Sequence, residues 1–265
     1  MTVTPRRTVA LFFVASPLHY LAARVVARHF EAGSRCIVVP YRPGARQFVR
    51  EADWDAVAYA PWPRFDPLPG PLGRHRRLLA NIRDVAAVVG PCDTLLIHSP
   101  VFDTEAINYF LRALPRRCGA GTMHARILPD GLMNVARHPL NPVRRAAQYL
   151  RKLRRLISPQ LDYWCFGGDR IGSEAPFVDR IYTLAGFPHD YPPEKVVSLP
   201  PLAGGEGGAT SDTALIVGQP LVSIGALTQA EHDAICARIV DWLKARGIER
   251  VMYKAHPRDH AHEMR

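Results

Sequence analysis

Apolar runs and helical stripes alternate along the first half of the chain. Residues 8–16 (TVALFFVAS) are almost continuously apolar, as a parallel strand buried on both faces requires. Ser16 followed by Pro17 predicts a helix start, a hydroxyl cap with proline in the first turn. That helix runs to about Phe30, with Gly33 beyond its end. Further strands are predicted at 35–40 (RCIVVP), 55–60 (DAVAYA), 93–99 (DTLLIHS) and 124–131 (HARILPDG). Helices are predicted from about Arg74 to Val89, stopped by Gly90-Pro91, and from a cap at Asp103 to about Leu114. Residues 61–73 read as a proline-rich loop.

Past residue 142 the pattern changes. Residues 142–158 (PVRRAAQYLRKLRRLIS) place Ala146, Tyr149, Leu150, Leu153, Leu156 and Ile157 at helical spacing among six basic residues. Residues 162–168 (DYWCFGG) look strand-like, and Ser173 is expected to cap a helix to about Ala185. The stretch 199–212 (LPPLAGGEGGATSD) has the composition of a linker. After it, 213–220 (TALIVGQP) reads as a strand. Thr228 and Glu231 form a capping box for a helix that stops at Gly247, and 249–257 (ERVMYKAHP) reads as a second, parallel strand. The expected fold class is α/β with two Rossmann-like domains on parallel sheets. Residues 1–198 form the first, 199–212 the linker and 213–265 the second, incomplete because one βαβ unit buries little surface.

Composition narrows the partners rather than the fold. The 265 residues are 48% hydrophobic and 22% charged, which excludes a wholly disordered chain. A net charge of +10 points to an anionic partner. The five cysteines are scattered without a CxxC pair, which suggests a reducing, cytoplasmic compartment. Val9–Ala15 ends at Ser16-Pro17 with no cleavage signature, so it reads as a strand and not as a leader. The basic helix at 142–158 has two readings: a solvated face, or peripheral contact with an anionic membrane surface. Recognised nucleic-acid modules are lacking, so nucleic acid is not an expected partner.

Ligands of open α/β sheets gather at the carboxyl ends of the strands. Four polar clusters fall there: Ser16-Pro17-Leu18-His19, His98-Ser99-Pro100, Pro129-Asp130-Gly131 and Lys254-Ala255-His256-Pro257. Asp130 is either a turn residue or a general base left exposed by the turn at Gly131. Alternation along a strand sets Lys254 and His256 on one side, a wall suited to a phosphate leaving group, with Pro257 stiffening the exit. His256, His260 and His262 lack the accompanying ligands of a metal site, so no metal is expected.

Taken together, LFFVASPLHYLAA, LPDG, ALIVGQPL and YKAHPRD resemble the bacterial polysialyltransferase and sialyltransferase families. The resemblance implies a GT-B glycosyltransferase of two Rossmann-like domains. It implies inverting, metal-independent transfer of sialic acid from CMP-sialic acid to a glycan hydroxyl, in surface or capsule polysaccharide synthesis. By resemblance, Asp130 is the catalytic base and His256 and Pro257 hold the CMP phosphate. Lys254, Gly218 and Gln219 then lie on the nucleotide side, and Ser16, His19, Ser99 and Gly131 on the acceptor side. Pro129 stands where the family usually has a second carboxylate. Relative to that family the chain is expected to be C-terminally truncated. The alternatives are an impaired relative that only binds nucleotide or anionic glycan, or a GT-B enzyme using another nucleotide sugar.

Overall fold

The computed structural model describes residues 7–131, 135–202, 213–219, 221–222 and 225–254. The chain divides into two compact units, Met1–Ala203 and Gly204–Arg265.

In the first unit, strands β1 (Thr8–Val14), β2 (Arg35–Pro40), β3 (Ala56–Val57), β4 (Thr94–Ser99), β5 (Thr122–Ile127), β6 (Val178–Leu184) and β7 (Val196–Leu199) form one sheet. Their order is β3-β2-β1-β4-β5-β6-β7, and every pairing is parallel. The α/β class read from the sequence therefore holds. Val9 to Val14 of β1 are wholly buried, because β1 has neighbours on both edges and apolar layers on both faces. Helix α1 (Pro17–Phe30) covers one face, packing Tyr20, Ala23 and Val26 with Phe12 and Val14. Helices α2 (Gly73–Val89) and α3 (Phe110–Cys118) supply Leu78, Ile82 and Leu114 to the core that holds Leu11 and Phe13. Since the strand order runs from β1 to β2 and β3 on one side and resumes with β4 on the other, the crevice at the carboxyl ends of β1 and β4 is a switch point, where such sheets bind ligands.

Several elements differ from the sequence reading. The expected helix after Ser173 is strand β6; its VDRIYTL sequence pairs between β5 and β7 instead. Ser173 turns its hydroxyl and backbone N–H to the buried Asp169 carboxylate. Asp103 caps no helix: its carboxylate accepts from the Tyr163 hydroxyl, and α3 begins at Phe110. Residues 162–168 form no strand. Trp164 N–H donates to the Asn108 side chain and Phe166 N–H to that of Gln148, so side-chain amides stand in for a sheet ladder. The segment 142–158 is α4 only over Pro142–Lys152, followed by a 3-10 turn at Leu153–Leu156. Strand β3 spans two residues, although Ala58 and Ala60 N–H still bond to the β2 carbonyls of Val38 and Pro40.

In the second unit, β8 (Thr213–Val217) and β9 (Arg250–Lys254) pair in parallel, joined through α5 (Gln229–Lys244). The Thr228–Glu231 capping box is formed as expected, closing the first turn of α5 from both sides.

Candidate active site

The loops after β1, β2, β4 and β5 converge on a cavity of about 470 Å³ in the first unit. Ser16 and His19 come from the start of α1, Tyr41 and Arg42 from the end of β2, Asp103 from beyond β4 and Asp130 from beyond β5. Helix α4 adds Arg144 and Arg151.

The first turn of α1 builds one half of the central pair. Ser16 caps the helix, its hydroxyl accepting from the His19 backbone N–H at 3.3 Å. The His19 ring then has one nitrogen for each neighbour. Its Nδ1 lies 3.3 Å from the Ala15 N–H, a group that can only donate, so Nδ1 accepts. The ring proton is thereby placed on Nε2, which donates to Asp130 Oδ1 at 2.7 Å. The His19 side chain is 6% exposed and that of Asp130 34%, so the imidazole lies beneath the carboxylate and the carboxylate reaches solvent.

Charge in the cavity is unbalanced. Five arginines (Arg42, Arg64, Arg144, Arg151 and Arg170) face three carboxylates, Asp103, Glu105 and Asp130. Arg151 stands 3.6 Å from Asp103 and bonds the Tyr163 hydroxyl, and burial pushes the Asp103 carboxyl above its ordinary value. Among the described residues Arg42, Arg64, Arg144 and Arg170 have no carboxylate within salt-bridge distance, and the buried Nε of Arg170 has no hydrogen-bond partner. Burial, and then the charge of Arg144, hold the Arg170 guanidinium below its ordinary value. Trp62 adds an aromatic wall with the Arg42 guanidinium 5.8 Å from its ring centre. Such a cavity is made for an anionic group beside an aromatic surface.

Ser99 and Gly131 do not line this cavity. Ser99 is fully buried, its hydroxyl bonded to the Val101 backbone. Gly131, in the left-handed conformation at φ 56°, borders a smaller apolar cavity with Phe187 and Leu184. In the second unit, Gly218 and Lys254 meet at the carboxyl ends of β8 and β9, where Gly218 N–H donates to the Lys254 carbonyl at 2.9 Å. A Cβ on Gly218 would fall 2.2 Å from the Tyr253 hydroxyl, so a larger residue there would displace the Tyr253 side chain. Gln219 and Lys254 are exposed at the same strand ends. His256 and Pro257 lie outside the described residues.

Arg42, Trp62, Arg144 and Arg170 were not singled out in the sequence. They come from four separate loops and helices, and only the folded sheet brings them together. Arg144 was visible only as one of a run of basic residues.

Residues 171–264 match the family model of alpha-2,8-polysialyltransferase (POLYST), which bears out the resemblance drawn from the motifs. The matched segment holds Gly218, Gln219, Lys254, His256 and Pro257; Asp130 and His19 lie before it. Among solved structures, the crystal structure of the glycotransferase of kitacinnamycin is similar at 11% identity and a TM-score of 0.42, covering 98% of this chain and 70% of that one. No curated protein matches the chain.

Proposed function

We propose that the protein is a sialyltransferase-like glycosyltransferase of GT-B type. It transfers sialic acid from CMP-sialic acid, with inversion, to a hydroxyl of an acidic glycan. The observation that carries this reading is the His19–Asp130 pair in an arginine-rich cavity at the strand ends, in a chain whose residues 171–264 match the polysialyltransferase model. In the reaction, Asp130 takes the proton of the acceptor hydroxyl, whose oxygen attacks the anomeric carbon of the sialyl group. The bond from that carbon to the phosphate oxygen breaks and CMP departs. His19 keeps its Nε2–H on Asp130 Oδ1 and holds the carboxylate in place. Arg42, Arg64, Arg144 and Arg170 take the carboxylate of an acceptor sugar, and Trp62 its apolar face. Lys254, with Gly218, Gln219, His256 and Pro257 by the family resemblance, serves the donor side.

The test is a donor panel. The full chain is incubated with an oligosialic acceptor and, in turn, CMP-sialic acid, UDP-sugars and GDP-sugars, and elongated product is measured. Elongation with CMP-sialic acid alone is expected. Elongation with a UDP- or GDP-sugar, and none with CMP-sialic acid, would overturn the donor assignment.

A further inference from the structure

Helix α4 is turned inside out relative to an ordinary surface helix. Its polar side faces the protein. Gln148 is 1% exposed and accepts from the Phe166 N–H. Arg151 bonds the Tyr163 hydroxyl, and Arg154, just past the helix, bonds Glu105 and the Tyr109 hydroxyl at 3.1 Å. The apolar side faces solvent. Val143 is 76% exposed, Leu150 68% and Leu156 81%, with Tyr149, Leu153 and Ile157 also exposed. On a helical wheel of 3.6 residues per turn Val143, Tyr149 and Leu150 of α4 share one arc of about 120°, and Leu153, Leu156 and Ile157 carry the exposed apolar surface on past its end. A surface helix normally buries such a stripe. An exposed stripe of this kind marks a docking face.

The charges around the stripe name its occupant. Arg145 and Lys152 flank it on α4 and Arg155 is exposed on the 3-10 extension; among the described residues none of the three pairs with a carboxylate, and Arg145 bonds the Gly167 carbonyl. A second copy of the chain docking stripe to stripe would set these cations against their own duplicates. An anionic lipid surface complements both parts of the face: apolar side chains enter the acyl boundary while the cations meet headgroup phosphates. Among the described residues no helix is long and apolar enough to cross a membrane, so contact through α4 is in-plane. We propose that the outward face of α4 and its 3-10 extension docks the protein on an anionic lipid bilayer. Arg144 and Arg151 of the same helix line the cavity, so docking brings that cavity alongside the lipid surface, where a lipid-linked acceptor would present its glycan.

The test is flotation of the full chain with vesicles of phosphatidylcholine alone and of phosphatidylcholine mixed with phosphatidylglycerol. The protein is expected to float with the anionic vesicles and far less with the neutral ones, with binding weakened by salt. Leu150→Glu with Leu156→Glu is expected to reduce binding at least tenfold. Arg145→Gln, Lys152→Gln and Arg155→Gln together are expected to reduce it roughly a hundredfold on anionic vesicles. Circular dichroism should match the parent for both variants, because all five side chains lie off the core. Failure of the parent to float with either vesicle would overturn the proposal, as would unchanged binding by the leucine variant. It would also fall if the parent sediments as a dimer that the leucine variant disperses while neither binds vesicles, which would assign the face to a second copy.

Discussion

His19 and Asp130 meet at 2.7 Å with the carboxylate one-third exposed, whereas His98 and Glu31 stand 3.4 Å apart with side chains 0% and 3% exposed. Helix α1 connects the two: His19 lies in its first turn and Glu31 caps its end. Around Glu31 the positive charge is already supplied. Arg126, 6% exposed, bonds Glu31 on one side and Asp179 on the other, at 3.0 Å, and the Tyr182 hydroxyl closes on Glu31. His98 stacks on Phe12 with ring centres 4.2 Å apart, and its Nδ1 faces the Leu11 carbonyl at 3.3 Å. That network joins α1, β4, β5 and β6 and opens on no cavity described above. The other pair opens on about 470 Å³ of space whose lining includes four arginines with no carboxylate within salt-bridge distance among the described residues. The same two residue types thus tie elements together where both are enclosed and Arg126 answers the carboxylate, and border a cavity where the carboxylate is left facing solvent.

Removing the enclosed network's cation should have the largest effect. Arg126→Leu leaves Glu31 buried without its counter-charge and is expected to cost about 3–5 kcal/mol of stability, measured by urea unfolding. An unchanged midpoint would mean that the network is dispensable to the fold. Next comes His19→Ala, expected to lower kcat about a hundredfold with little change in acceptor KM, because the base loses its support and not its substrate. His19→Gln, whose amide N–H can still reach Asp130, is expected to recover part of that loss. Both variants should keep the parent's melting temperature within a few degrees, in contrast to Arg126→Leu.

The smallest effect is in the pH dependence of stability. Burial drives the His98 imidazole below its ordinary value of 6.5, against the pull of Glu31. Burial opposes ionisation of Glu31, but the hydrogen bonds and charge of His98 and Arg126 outweigh it and hold that carboxyl below its ordinary value of 4.5. In both cases the unfolded chain binds the proton more readily than the folded one. Their contribution is therefore full above pH 6.5 and declines as the pH falls, first through His98 and then through Glu31. Thermal melts of the parent should fall between neutral and mildly acid pH, and His98→Gln should flatten that first decline.

Much of the framework was legible because it rests on local rules. The continuous apolar run of β1, the Ser16-Pro17 helix start and the Thr228–Glu231 capping box each formed as their sequences imply. The segments that misled are those whose backbone is satisfied by distant side chains. Residues 162–168 take theirs from Asn108 and Gln148, and the hydroxyl of Ser173 goes to Asp169 and not to a helix end. In the candidate site, Asp130 and His19 stood out by lying at strand ends, yet their bond spans 111 positions of sequence and no spacing rule connects them. The arginines around them were indistinguishable from solvated surface charge until the sheet gathered them. Arg126 carried no signal at all, because a cation inside a strand normally faces water.

In the proposed reaction the solvent-facing carboxylate of the exposed pair is the base of a sialyl transfer. The most direct test of that role is kcat/KM for elongation of an oligosialic acceptor from CMP-sialic acid, compared between the parent and Asp130→Asn. The substitution removes the base while leaving an amide that can still meet His19. A loss of about 10³-fold or more is expected, with the melting temperature unchanged. An Asp130→Asn protein that elongates the acceptor as fast as the parent would contradict that role.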